Sequence, residues 1–129
     1  MVASILAVSL MSVYDIANAV QQNIRVREVV RAGGIYAQTY PYDTTGITAA
    51  INNAASGWTN LTINEITPYC QCWNSPPTAF QNSVSCDNDC GSDQTQLGFV
   101  RIRVSRPFTA MFLPGLSGNT TATHAVRYQ

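Results

Sequence analysis

MVASILAVSLMSVYDIANAVQQNIRVREVVRAGG, residues 1–34, is the stretch whose reading decides the fold. No charge occurs from Met1 to Tyr14. Ile5, Leu6, Val8, Leu10, Met11 and Val13, with serines the only polar residues between them, leave no polar face on a helix. A helix that is apolar all round must be buried against something. Fourteen residues at about 1.5 Å each reach only about 21 Å, short of a bilayer core of roughly 30 Å. A membrane span is therefore marginal unless it continues through Asp15 and Asn18 to Val20. Ala17-Asn18-Ala19 also has the small-x-small pattern of a signal-peptide cleavage site, but no Lys or Arg precedes the apolar core.

Further on the pattern becomes amphipathic. Ala17, Val20, Ile24, Val26, Val29, Val30 and Gly33 recur at three- and four-residue steps, with Gln21, Gln22, Arg25, Arg27, Glu28 and Arg31 between them. The spacing predicts one helix over residues 1–38, roughly 50 Å long, with a stop or bend at Gly33-Gly34. Such a helix is too long for a small domain to cover by itself. Ile5, Leu6, Val8, Leu10, Val13, Val20 and Ile24 are the candidate assembly residues. Asp15 joins them, because a carboxylate in an apolar helix must gain a partner or a proton unless it stays wet.

Residues 39–129 read as a separate head. Thr44-Thr45 suits a helix start, and Ile47, Ala50, Ile51 and Ala54 predict a short helix from about Thr45 to Ala55 that lies back across a sheet, stopped by Ser56-Gly57. From Trp58 the period falls to two. Leu61, Ile63 and Glu65 alternate with Thr62, Asn64 and Ile66; Val100, Ile102 and Val104 alternate with Arg101, Arg103 and Ser105; Ala122, His124 and Val126 alternate with Thr123, Ala125 and Arg127. With Tyr69 to Trp73 as a further strand, this gives an antiparallel sheet of three or four strands. The expected fold class is α+β: a long N-terminal helix, a short second helix, then a small sheet with two disulfides. Phe108, Met111, Phe112 and Leu113, in the loop before the last strand, are too apolar for a free loop and are expected on the sheet or against a neighbouring subunit.

A head of this size gains from covalent staples. Cys70 and Cys72, two apart on a strand, share a face, so a bond between them would be strained and each should pair with Cys86 or Cys90. The nested pairing, Cys72 with Cys86 and Cys70 with Cys90, suits a hairpin. Such bonds need an oxidising, extracytoplasmic setting. A zinc site fits poorly, because Cys-x-Cys departs from the usual knuckle spacing. Asp87, Asp89 and Asp93 lack the glycine and ligand spacing of a calcium loop.

The charges argue against other classes. All seven cations are Arg, balanced by seven acids, so there is no basic excess for nucleic acid. His124 is the single histidine, and no nucleophile elbow or phosphate loop occurs. The expectation is a non-enzyme with no cofactor, metal or small-molecule substrate. Arg101 and Arg103, on one face of a strand, are expected to pair with acids of a neighbouring copy.

Taken in order, Asp15-Ile16-Ala17, then Arg25 to Arg27, then Arg31-Ala32-Gly33-Gly34-Ile35-Tyr36-Ala37 resemble the TadE-like pseudopilins of tight-adherence pili, in the wider type IV pilin class. There an apolar segment carries an acidic residue within a Gly-x-x-Glu-Phe-Gly type stretch and leads to an Arg-Glu-Gly-Ala-Arg-Tyr-Ala type stretch. Asp15 falls at the acidic position, and Arg31, Gly33, Tyr36 and Ala37 at the later ones. The ending, Val100 to Val104, Pro107-Phe108-Thr109, Leu113-Pro114 and Ala122 to Arg127, is similar to the family's, as is the placing of the cysteines. The family's basic leader and a further Glu of its apolar segment have no counterpart from Met1 onward, and Asp replaces Glu at residue 15. The resemblance implies a structural subunit of an extracellular filament, with an inner-membrane stage before assembly and other copies of itself or related pilins as partners. It also implies that Asp15 meets an arginine or a free amine of a neighbour. The alternative is a membrane-anchored monomeric accessory or binding protein of the cell envelope.

Overall fold

Helix α1 runs from Val2 to Thr39 without a break. The computed structural model describes residues 2–74, 86, 87, 90–92 and 94–128, apart from the side chains of residues 2–5, 74 and 114. Gly33-Gly34 does not stop the helix, contrary to the expectation. These two residues face the head, where a Cβ on Gly33 would lie 2.6 Å from Cγ1 of Ile51 and one on Gly34 would lie 2.7 Å from Cδ2 of His124. They are glycine for close approach, not for a turn. The helix ends instead at Thr39, because Pro41 disfavours helical backbone in Tyr40.

Helix α2, Thr44–Ala54, starts one residue earlier than expected and is capped by Asp43 rather than by a threonine. Asp43 Oδ1 accepts from the Gly46 N–H at 2.9 Å, and its Oδ2 accepts from the Tyr36 hydroxyl at 2.8 Å. The cap thus also ties α2 to α1. Ile47 and Ile51 turn inward, and α2 packs along α1 rather than across the sheet. Gly57, at φ +83°, then turns the chain towards the strands.

Strands β1 (Thr62–Asn74), β2 (Gln94–Phe108) and β3 (Gly118–Arg127) form one antiparallel sheet in the order β1-β2-β3. The two expected strands around residues 61–66 and 69–73 are one strand. Strict alternation puts Ile63 and Ile66 on opposite faces. A bulge at Asn64 changes this: Ile63 opposes Val104 and Ile66 opposes Ile102, so both lie on the core side. The same shift sends Glu65 outward, opposite Arg103.

The core joins Val26, Val29, Val30 and Ala37 of α1 and Ile47 and Ile51 of α2 to Val100, Ile102, Val104, Ala122 and Val126 of the sheet. Only the C-terminal half of α1 takes part in it.

All four cysteines are bonded, but not as the nested hairpin predicts: Cys70 joins Cys86 and Cys72 joins Cys90. The pairings Cys72 with Cys86 and Cys70 with Cys90 are corrected by chain direction. β2 begins at Gln94, opposite Asn74 at the far end of β1. Cys90, closer in sequence to Gln94, must therefore lie nearer that end and meets Cys72, while Cys86 meets Cys70. The bonded residues run parallel to β1 instead of folding back along it. Full disulfide bonding also removes the zinc reading. Asp89 and Asp93 lie outside the described residues.

Candidate functional site

The N-terminal half of α1 has its polarity reversed. Towards the head it presents Ser12, Asp15, Asn18 and Gln22, all half-buried or buried, in line with the Val26, Val29 and Val30 stripe that follows. Away from the head it presents Leu6, Leu10, Val13, Ile16, Val20 and Ile24, all exposed, Leu10 by 71 %; Val8 and Met11, seven and four residues before Asp15, lie on the same side of the helix as that carboxylate and are exposed too. The apolar sector thus changes sides between Ile24 and Val26, and the helix as a whole has no single apolar face. The expected continuous face of Ala17, Val20, Ile24 and Val26 is divided accordingly: the first three point outward and Val26 inward. Of the candidate assembly residues, Leu6, Leu10, Val13, Val20 and Ile24 share the side away from the head, whereas Val8, also exposed, lies on the side of Asp15. Ile5 lies outside the described side chains.

Asp15 is 2 % exposed and is held by its own chain. Its Oδ1 accepts the Met111 N–H at 3.1 Å, and its Oδ2 accepts those of Phe112 at 2.6 Å and Leu113 at 2.7 Å. Three successive amides make an anion-binding concavity. Burial pushes the Asp15 pKa up, yet the amides of Phe112, Leu113 and Met111 together outweigh it and hold the carboxyl below its ordinary value. The expected arginine or amine of a neighbour is therefore not needed to satisfy this charge. Sequence alone does not reveal the contact, because the donors are backbone groups about a hundred positions away.

The loop from Thr109 to Ser117 is fixed at its base as well, where the Ala110 N–H donates to Ser117 Oγ at 3.0 Å and the Leu116 N–H to the Leu113 carbonyl at 2.8 Å. Phe108 and Ala110 are buried, whereas Met111 is 78 % and Phe112 44 % exposed. Of the cluster expected on the sheet or against a neighbouring subunit, Phe108 packs on the head and Leu113 is half-buried, while Met111 and Phe112 face outward.

On the outer face of the sheet, Glu65 lies 3.9 Å from Arg101 and 3.7 Å from Arg103, so these arginines meet an acid of their own chain. Arg101 also lies over the Tyr69 ring, which stacks on Phe99. Under the sheet, the Tyr128 ring covers Gly98, and its hydroxyl lies 2.9 Å from that of Tyr42 and 3.7 Å from Cys86 Sγ. Burial, and then the Tyr42 hydrogen bond, push the Tyr128 phenol up to about 12.

An open cleft of about 370 Å³ between α1 and β3 is lined by Arg27, Arg31, Thr121, Thr123 and His124. It offers positive charge and hydroxyls but no nucleophile paired with a base. Among the described residues no group of three or more His, Cys, Asp or Glu could hold a metal ion, and no helix is long and apolar enough to cross a membrane.

Comparison with protein-family models, curated proteins and solved structures returned no match.

Proposed function

We propose that this chain is a structural subunit, a pilin or pseudopilin of a Tad-like or type IV-like extracellular filament, and that it assembles through the N-terminal half of α1. One observation carries the reading: from Ser12 to Ile24 the helix turns polar side chains to its own head and apolar ones outward, and residues 6–11 before it are exposed all round. A helix made only to stabilise its own domain has the opposite polarity. The uncovered sector presents on the order of 1,000 Å² of largely apolar surface, beyond the 300–600 Å² of the largest patch on a typical monomer. The disulfide-stapled head supports an extracytoplasmic setting, and the order of motifs along the chain supports the pseudopilin class.

In this role copies wait in the inner membrane and exchange lipid for neighbouring helices on assembly, driven by burial at about 25 cal/mol per Å². The partners are other copies or related pilins, with no nucleic acid, cofactor or small-molecule substrate. Electron microscopy of surface material sheared from cells that make the protein tests the proposal. The expected result is a filament whose helical reconstruction places α1 at the axis. Detergent-extractable monomers and no filament would favour the membrane-anchored accessory protein instead.

A further inference from the structure

The loop tip at Met111 and Phe112 shows its apolar side chains to solvent because its backbone is turned the other way. The amides of residues 111–113 all point at Asp15, so the loop lies against α1 with N–H groups inward. For folding alone, an apolar residue at position 15 with Phe112 turned onto it would bury more apolar surface and avoid dehydrating a carboxylate. The chain forgoes that burial. It keeps a charged residue inside and two large apolar residues outside, on a loop also tied at its base by Ser117.

We infer that Met111 and Phe112 form a docking surface for a second copy of this chain, against its residues 6–24, with Asp15 as the positioning residue that fixes the loop. This rests on the assembly reading above and names the part of the head that shares in the contact. The occupant follows from area. The outward sector of α1 alone is comparable to the roughly 800 Å² that each partner contributes to a standard interface. The loop tip is held at Asp15, on the other side of α1 from that sector, so each copy carries the two surfaces on different faces. The sector of one copy is therefore free to meet the loop tip of the next. A contact between a helix on one copy and a loop on the next is heterologous, and it repeats along an open-ended assembly.

The test places a photoreactive benzoylphenylalanine at position 112 of the full chain and maps the cross-links formed in assembled material. The expected products are dimers joined from position 112 to residues 6–24 of another copy. Combining the probe with Asp15→Asn should lower their yield at least fivefold, with partial rescue by Asp15→Glu. A purely structural role for Asp15 would change the melting temperature and leave the map of surviving products unchanged. In parallel, Met111→Ser with Phe112→Ser removes only exposed side chains, so the head should melt as before while assembled material falls at least tenfold. If the unaltered chain assembles, yet position 112 gives no intermolecular product or the double variant assembles normally, this inference is overturned and the assembly reading stands. If the unaltered chain never assembles, both are overturned.

Discussion

Removing the bond between Cys70 and Cys86 by the paired change C70S/C86S tests how the head is held together. The bridges close loops with sequence separations of 16 and 18. In the chain-entropy model each removes about 10 cal/mol/K from the unfolded ensemble, or about 3 kcal/mol at 25 °C. The two loops overlap between Cys72 and Cys86. Once one bond stands, the second closes only a short path through it, so losing both costs somewhat less than twice one, about 5 kcal/mol. With Cys72–Cys90 still in place the loss of Cys70–Cys86 therefore costs about 2 kcal/mol, and for a head of roughly 90 residues, at 4–8 °C per kcal/mol, it should lower the midpoint by about 8–16 °C. The assay is thermal unfolding of the full chain followed by near-ultraviolet circular dichroism, with alkylation of free thiols. C70S/C86S should leave no reactive thiol, because Cys72 and Cys90 remain bonded. C70S/C90S should leave Cys72 and Cys86 reactive and melt lower still. A C70S/C86S protein that melts within a few degrees of the parent, or a reversed thiol pattern, would refute the reasoning.

Leu10→Asp should abolish assembly while the head melts as before, since Leu10 is exposed and lies outside the core; scoring sheared filaments beside a melting curve checks both. Gly33→Val should destabilise the head by about 1–3 kcal/mol, as overpacking against Ile51 does, measured by chemical denaturation. Ile102→Ala, which empties the fully buried centre of β2, should cost about 2–5 kcal/mol in the same assay. For Asp15 the folded pKa is lowered, so its contribution to stability is fully present above the unfolded carboxylate value of about 3.9 and is lost as pH falls through the folded value. Hydrogen exchange at the amides of residues 111–113 should therefore stay slow from neutral pH to about 5 and lose its added protection only in stronger acid. Asp15→Asn should weaken that protection at every pH.

The architecture was legible in the sequence because it rests on local periodicity. An unbroken helical spacing gives α1, alternation gives β2 and β3, and two cysteines on one strand require two outside partners. What tertiary structure decided is which way each surface faces. Alternation could not place the bulge at Asn64, which brings Ile63 and Ile66 to one side and sends Glu65 to Arg101 and Arg103, because a one-residue shift reverses every side chain after it. The spacing of Gly33 and Gly34 reads as a helix stop until Ile51 and His124 are seen against them. The cysteine pairing depended on where β2 starts relative to β1, a matter of register that four positions in a chain do not contain. Asp15 was recognisable as a residue needing a partner, but its partners are peptide N–H groups, which every non-proline residue carries and only a folded loop can aim.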